Sequence, residues 1–140
     1  MTDSTKINFN HRRIRQVEDI TDLAEMLFPG NCNQQHAAAR ILLALKQTTD
    51  IMNSLSCLER QYGISRRTLQ RTRAKLARLG LIDHISWMNR CYNGRQGWKL
   101  SGRMSTSLRH LAEKIDQWRS DTRPDHLEKE EVLAEFLRPR

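Results

Sequence analysis

No apolar run in this sequence approaches the roughly 20 residues that a membrane-crossing helix needs. The longest, Ile41 to Leu45, is closed by Lys46. The stretch from Met1 to Gln16 is polar and basic and lacks the apolar segment of a secretory leader. Cysteine is sparse too. Cys32, Cys57 and Cys91 form no CxxC pair and, being odd in number, cannot all pair within one chain, so a reducing, cytoplasmic setting is expected. Glycine-rich phosphate loops, paired carboxylates and a nucleophile elbow are all missing, which leaves catalysis no residues to stand on. Cys32 and His36 have helical i, i+4 spacing, but without a second ligand pair they predict neither a metal site nor a cofactor.

The scarcity that matters most is acid in one window. Between Ile64 and Arg103 the only acid is Asp83, set against ten bases: Arg66, Arg67, Arg71, Arg73, Lys75, Arg78, Arg90, Arg95, Lys99 and Arg103. The whole chain of 140 residues carries a net charge of +8, so the rest of it sums to −1. A surplus confined to one third of a sequence is a footprint for a polyanion rather than a general solubility device.

Periodicity supplies the frame. Residues 1–16 show little of it and are expected to form a flexible basic arm. Val17, Ile20, Leu23, Ala24, Leu27 and Phe28 recur at helical spacing until Pro29-Gly30 stops them. A second helix is predicted from about 34 to 49, capped by Asn33, with Ala38, Ile41, Leu42 and Leu45 as its buried stripe. The piece around 51–53 is expected to be a lone extended strand. Ser56-Cys57-Leu58-Glu59 matches a capping box, and Cys57 is expected to be a small buried hydrophobe. That helix ends at Gly63. Ser65 caps the next, from Arg66 to Leu79, which stops at Gly80 and faces inward through Leu69, Leu76 and Leu79.

Beyond Gly80, the alternation Leu81, Asp83, Ile85, Trp87 predicts a strand, Asn93-Gly94 a tight hairpin turn and 97–100 the returning strand. Cys91 lies between Arg90 and Tyr92, where positive charge favours the thiolate, although a lone cysteine at a hairpin edge is more often incidental. Met104, Leu108, Leu111, Ile115 and Trp118 follow at spacings of four and three, the seam of a helix that packs on another helix. Asp121 to Pro124 breaks the chain, and an acidic helix over 125–137 ends it. The fold class expected is mostly α with a small β-hairpin. Its parts are the arm (1–16), a DNA-binding domain with flanking helices (17–120) and an acidic helical extension (121–140).

The segment Ile64 to Ile82 resembles the recognition helix and following turn of winged helix-turn-helix transcription regulators. The points of likeness are the opening Ser65, the hydrophobe Leu69 and the ending Leu76-Ala77-Arg78-Leu79-Gly80-Leu81-Ile82. Trp98-Lys99-Leu100-Ser101 with the helix after it is similar to the multiple-antibiotic-resistance-regulator type. The resemblance covers about 50 residues and implies a sequence-specific double-stranded DNA-binding protein that regulates transcription.

At about 100° per residue, with Leu69 and Leu76 inward, the outward arc of the Arg66–Leu79 helix is Arg67, Gln70, Arg71, Ala74 and Arg78. The N-terminal part of such a helix enters the major groove, so Arg66, Arg67, Gln70 and Arg71 are the candidates for base edges. Ser65, Thr68, Lys75 and Arg78 are candidates for phosphates, and Arg90, Asn93 and Arg95 on the wing for the backbone or an adjacent minor groove. Arg73 falls near the core edge and is expected to lie along its own helix.

A homodimer is expected through Val17, Ile20 and Leu27 with Leu108, Leu111, Ile115 and Trp118, because these helices carry more apolar surface than one small monomer needs. A two-fold dimer would read a pseudo-palindrome, its recognition helices about 34–36 Å apart. Two other roles use the same features: a plasmid or phage replication or partition factor, and a winged-helix module that contacts protein instead of DNA. Arginine and glutamine on the outward arc favour DNA over the latter.

Overall fold

Short polar side chains cap several of the helix starts, and Gly63 and Gly80 close two of the helices. The computed structural model describes residues 6–86 and 95–140. The elements run α1 (His11–Gln16), α2 (Ile20–Leu27), α3 (Cys32–Gln47), α4 (Cys57–Tyr62), α5 (Arg66–Leu79), β1 (Ile82–Ile85), β2 (Gly97–Leu100), α6 (Arg103–Ser120) and α7 (Pro124–Phe136). The predicted Asn93-Gly94 turn lies outside the described residues. Two compact units result, Met1–Met104 and Ser105–Arg140.

The first unit is built on α3. Its inward stripe of Ala38, Ile41, Leu42 and Leu45 is buried, as the spacing predicts, with Ala37 buried beside it, and it packs against α2 and α5. Leu27, Phe28, Leu55, Leu69, Leu76 and Ile82 complete the core. β1 and β2 pair antiparallel with Ile82 opposite Leu100 and Ile85 opposite Gly97. The expected lone strand is a single bridge: Met52 and Trp98 exchange both backbone hydrogen bonds at 2.8 Å. Gly97 makes that closeness possible, because a Cβ there would lie 2.5 Å from the Met52 carbonyl oxygen.

Local capping chemistry corrects several expectations. Asn31, rather than Asn33, caps α3, its Oδ1 accepting from the Gln34 amide at 3.1 Å. Ser56 makes no side-chain cap. Its amide donates to Ser54 Oγ at 3.1 Å, so the capping box does not form and Cys57 is exposed instead of buried. The strand forms, but of the alternating Leu81, Asp83, Ile85 and Trp87 only Ile85 is buried, joined by Ile82, which the hairpin turns toward α5; Trp87 lies outside the described residues. The basic arm is partly ordered. The Asn8 amide donates to the Met26 carbonyl at 2.9 Å, Ile7 packs on the core, and Arg13 pairs with Glu25.

One part of the expected dimer surface is also corrected. Leu27 is completely buried and so is spent within the first unit, while Val17 and Ile20 pack against the same core but stay partly exposed.

The second unit comprises α6 from Ser105 onward and α7. None of its residues is buried. Asp121 organises the turn between the helices. Its carboxylate accepts from Arg123 Nε at 2.9 Å and from a terminal Arg123 nitrogen at 3.1 Å, and lies 2.7 Å from His126 Nδ1. These partners, the Arg123 hydrogen bond first, hold the Asp121 carboxyl well below the usual carboxylate range and raise Arg123. Pro124, whose missing amide costs nothing in a first turn, then opens α7.

Candidate nucleic-acid interface

Helix α5 is the element on which the predicted site rests, and its two ends are well defined. Ser65 Oγ accepts from the Thr68 amide at 3.2 Å and donates to Thr68 Oγ1 at 2.8 Å. At the other end Gly80 takes φ 86°, a left-handed value that an L side chain rarely adopts, and its amide donates to Ala77. Leu69, Thr72 and Leu76 are buried and fix the rotation of the helix.

That rotation exposes Arg66, Arg67, Gln70, Arg71, Ala74 and Arg78. At about 100° per residue they occupy one arc of about 140°, centred opposite the buried line. All four side chains predicted to face bases are therefore exposed on a common face, three of them arginines, and Arg78 continues the face toward the C-terminal end. Thr68 and Ser65 sit at its N-terminal edge with their hydroxyls engaged in the cap.

Lys75 departs from the expectation of a phosphate contact. Its ammonium donates to the Lys6 carbonyl at 2.8 Å and to the Leu27 carbonyl, and lies 4.5 Å from the Phe28 ring centre. The carbonyl end of α2 carries partial negative charge, which draws the lysine inward. Arg73 stays out of the exposed arc, but it does not lie along its own helix as expected: its guanidinium stacks 4.9 Å from the centre of the Trp98 ring of β2.

Two further bases of the window are neutralised within the unit. Arg103 pairs with Asp83 at 2.5 Å and also donates to the Ala77 and Ile82 carbonyls. Arg95, the one predicted wing residue that is described, pairs with Asp50. Arg90 and Asn93 lie outside the described residues, as does Cys91. Among the described residues of the window, the positive face is thus narrower than the raw charge count and centres on the outward arc of α5.

The structure also brings in residues that the sequence had offered for other roles, Asn33 as a cap and His36 beside Cys32. Asn33 and His36 of α3 border, together with Ser65 and Thr68, a polar hollow of about 160 Å³ beside the α4–α5 turn. One turn further along α3, Arg40 stacks 4.0 Å from the Tyr62 ring centre, and its Nε lies 3.3 Å from His36 Nε2. The i, i+4 placement of His36 and Arg40 on α3 was a sequence signal, but one that reads equally well as a solvated face.

Among the described residues no group of three or more His, Cys, Asp or Glu side chains is placed to hold a metal ion, and no helix is long and apolar enough to cross a membrane. Compared with protein families, with curated proteins and with solved structures, the chain matches none of them.

Proposed function

We propose that this chain is a winged helix-turn-helix protein that binds double-stranded DNA sequence-specifically and regulates transcription as a homodimer in the cytoplasm. One observation carries the reading: Arg66, Arg67, Gln70 and Arg71 are exposed together on the N-terminal half of a helix whose rotation is fixed by buried Leu69, Thr72 and Leu76. Arginine forks the guanine edge and glutamine the adenine edge, so such a face can read bases in a major groove. Helix α4, the tight turn through Gly63, helix α5 and the β1–β2 hairpin, with Met52 bridging to Trp98, supply the element order expected of a winged helix.

Under this reading Arg78 and the amide-capped edge at Ser65 and Thr68 flank the duplex backbone, and the residues around the α3 hollow, His36 and Asn33, extend that flank. Lys75 has no part in it, because its charge is spent on carbonyl groups.

The test is a salt titration of binding to short duplexes. The logarithm of affinity should fall linearly with the logarithm of salt concentration, by about 0.9 for each phosphate neutralised. Arg71→Ala should narrow the gap between preferred and scrambled sites by about 1–3 kcal/mol. Arg78→Ala should weaken all sequences alike. A salt-independent affinity, or an Arg71 variant with unchanged preference, would refute the assignment.

A further inference from the structure

Lys6 to Gln16 hold four bases, Lys6, Arg12, Arg13 and Arg15, and no acid. Fixing the backbone of such a segment costs about 1–2 kcal/mol per residue, and three ties near its start offset that cost. The Asn8 amide bonds the Met26 carbonyl, Ile7 packs on the core, and the Lys6 carbonyl accepts from the Lys75 ammonium at 2.8 Å. The last tie brings the segment to the flank of α5. We propose that Lys6, Arg12 and Arg15 form a second phosphate-binding surface for duplex DNA, on the edge of the major groove opposite the β1–β2 hairpin. This rests on the duplex-binding reading above and adds a contact that lies outside the basic window of Ile64 to Arg103.

Lys75 fixes where the segment lies. At about 100° per residue, Arg73 and Lys75 project from opposite flanks of the exposed arc of α5. Arg73 reaches Trp98 of β2, whereas Lys75 reaches Lys6 and Leu27, so the hairpin and the arm stand on either side of that arc. Arg71 and Arg78, one helical turn before and after Lys75, are the exposed members of the arc beside the arm. The Lys6 Cα lies within about 6 Å of the Lys75 ammonium, because its own carbonyl accepts from it. Five residues of chain span at most about 18 Å, which keeps the start of α1 within reach of the same duplex. A major groove about 12 Å wide is filled by a helix about 10–12 Å across, so elements flanking that helix meet the phosphates of its two edges.

Neighbouring acids do not absorb these bases. Around α2 they are Glu18, Asp19, Asp22 and Glu25. Asp19 caps α2 by accepting from the Thr21 and Asp22 amides, Asp22 accepts from the Glu18 amide, and Glu25 is taken by Arg13. Arg13 thus faces α2, and at about 100° per residue Arg12 and Arg15 are turned away from it. Among the described residues the side chains of Lys6, Arg12 and Arg15 make no hydrogen bond or ion pair, and all three are exposed. Lys75 gives its own charge to carbonyl groups, but in doing so it seats Lys6 on the same flank.

The test is the triple variant Lys6→Ala/Arg12→Ala/Arg15→Ala in the full chain. Lys6 is tied through its carbonyl, which alanine keeps, so thermal unfolding of the first unit should not move. On a short duplex the log–log salt slope should shrink by about 2.7 for each chain bound, at about 0.9 per phosphate. Preferred and scrambled sequences should weaken alike, because phosphate contacts carry no sequence information. Ethylation interference should lose blocked phosphates along one edge of the major groove and keep those along the other. The charge-matched control Lys46→Ala/Lys114→Ala/Lys129→Ala should leave the slope unchanged.

An unchanged slope in the triple variant, an equal fall in the control, or phosphates lost from both edges would overturn the proposal. So would a triple variant that loses only cosedimentation with phosphatidylserine vesicles, which would assign these bases to a lipid surface. If the triple variant keeps its slope while Arg78→Ala reduces it, this inference fails and the duplex-binding reading stands. A wild type whose affinity ignores salt sinks both.

Discussion

Replacing Thr72 by valine should stabilise the first unit, and the expectation follows from a single buried oxygen. Thr72 is completely buried in the middle of α5, between Leu69 and Leu76, and its Oγ1 has no hydrogen-bond partner among the described residues. A buried hydroxyl left without a partner costs about 1–3 kcal/mol relative to one that water solvates. Valine has nearly the same shape, and its helix propensity is close to that of threonine. The net gain should therefore be about 1–2 kcal/mol, which in a unit of this size raises Tm by about 5–10 °C. Urea denaturation followed by circular dichroism reads the gain directly as a higher midpoint at unchanged slope. Thr72→Ser is the control. It keeps the hydroxyl and deletes a buried methyl, so it should lose about 1 kcal/mol. Because Thr72 faces away from the exposed arc, neither variant should alter affinity for duplex DNA. A valine variant less stable than wild type, with the serine variant neutral, would show that the hydroxyl makes a favourable contact and would refute the reasoning.

Lys75→Met keeps the aliphatic stem but strands the Leu27 carbonyl, so it should cost about 1–3 kcal/mol of stability in a denaturant titration and leave the salt slope of DNA binding unchanged. A reduced slope would return Lys75 to the interface. Gly97→Ala drives a methyl into the Met52 carbonyl and should cost about 1–3 kcal/mol, with loss of slow hydrogen exchange at the Met52 and Trp98 amides. Unchanged exchange at both would mean the bridge is not held by that close approach. The Asp121 carboxyl, held down chiefly by Arg123, should titrate well below the ordinary value of about 3.9 when followed by carbon-13 chemical shift. A depressed folded-state pKa contributes stability that is present above the unfolded value and lost as pH falls toward the folded one. Acid below about pH 4 should therefore loosen the α6–α7 turn, and titration of Asp121 at the ordinary value would contradict that.

Helix α5 was fully legible in the sequence because its signals agree at every level: Ser65 as cap, a left-handed glycine at 80, and an apolar line through Leu69 and Leu76. Where two nearby residues compete for one task, the local pattern pointed to the wrong one. Asn31 and Asn33 are both good caps, and the chain uses Asn31, whose side chain bonds Gln34 in both directions. Ser54 and Ser56 compete likewise, and the link between them displaces the capping box and turns Cys57 to solvent. Charge was the least legible quantity, because a count says nothing of where a long side chain ends. Lys75 bends to a helix end supplied by α2, some 48 residues away in sequence, and Arg103 reaches back to Asp83. These are tertiary facts that no local window contains. The same limit governs the dimer surface. Leu27 and Leu111 both lie on amphipathic helices, yet one is consumed by the core of its own unit while the other stays half-exposed. Apolar periodicity establishes that a helix needs a neighbour, and only the packing shows whether the chain itself provides one.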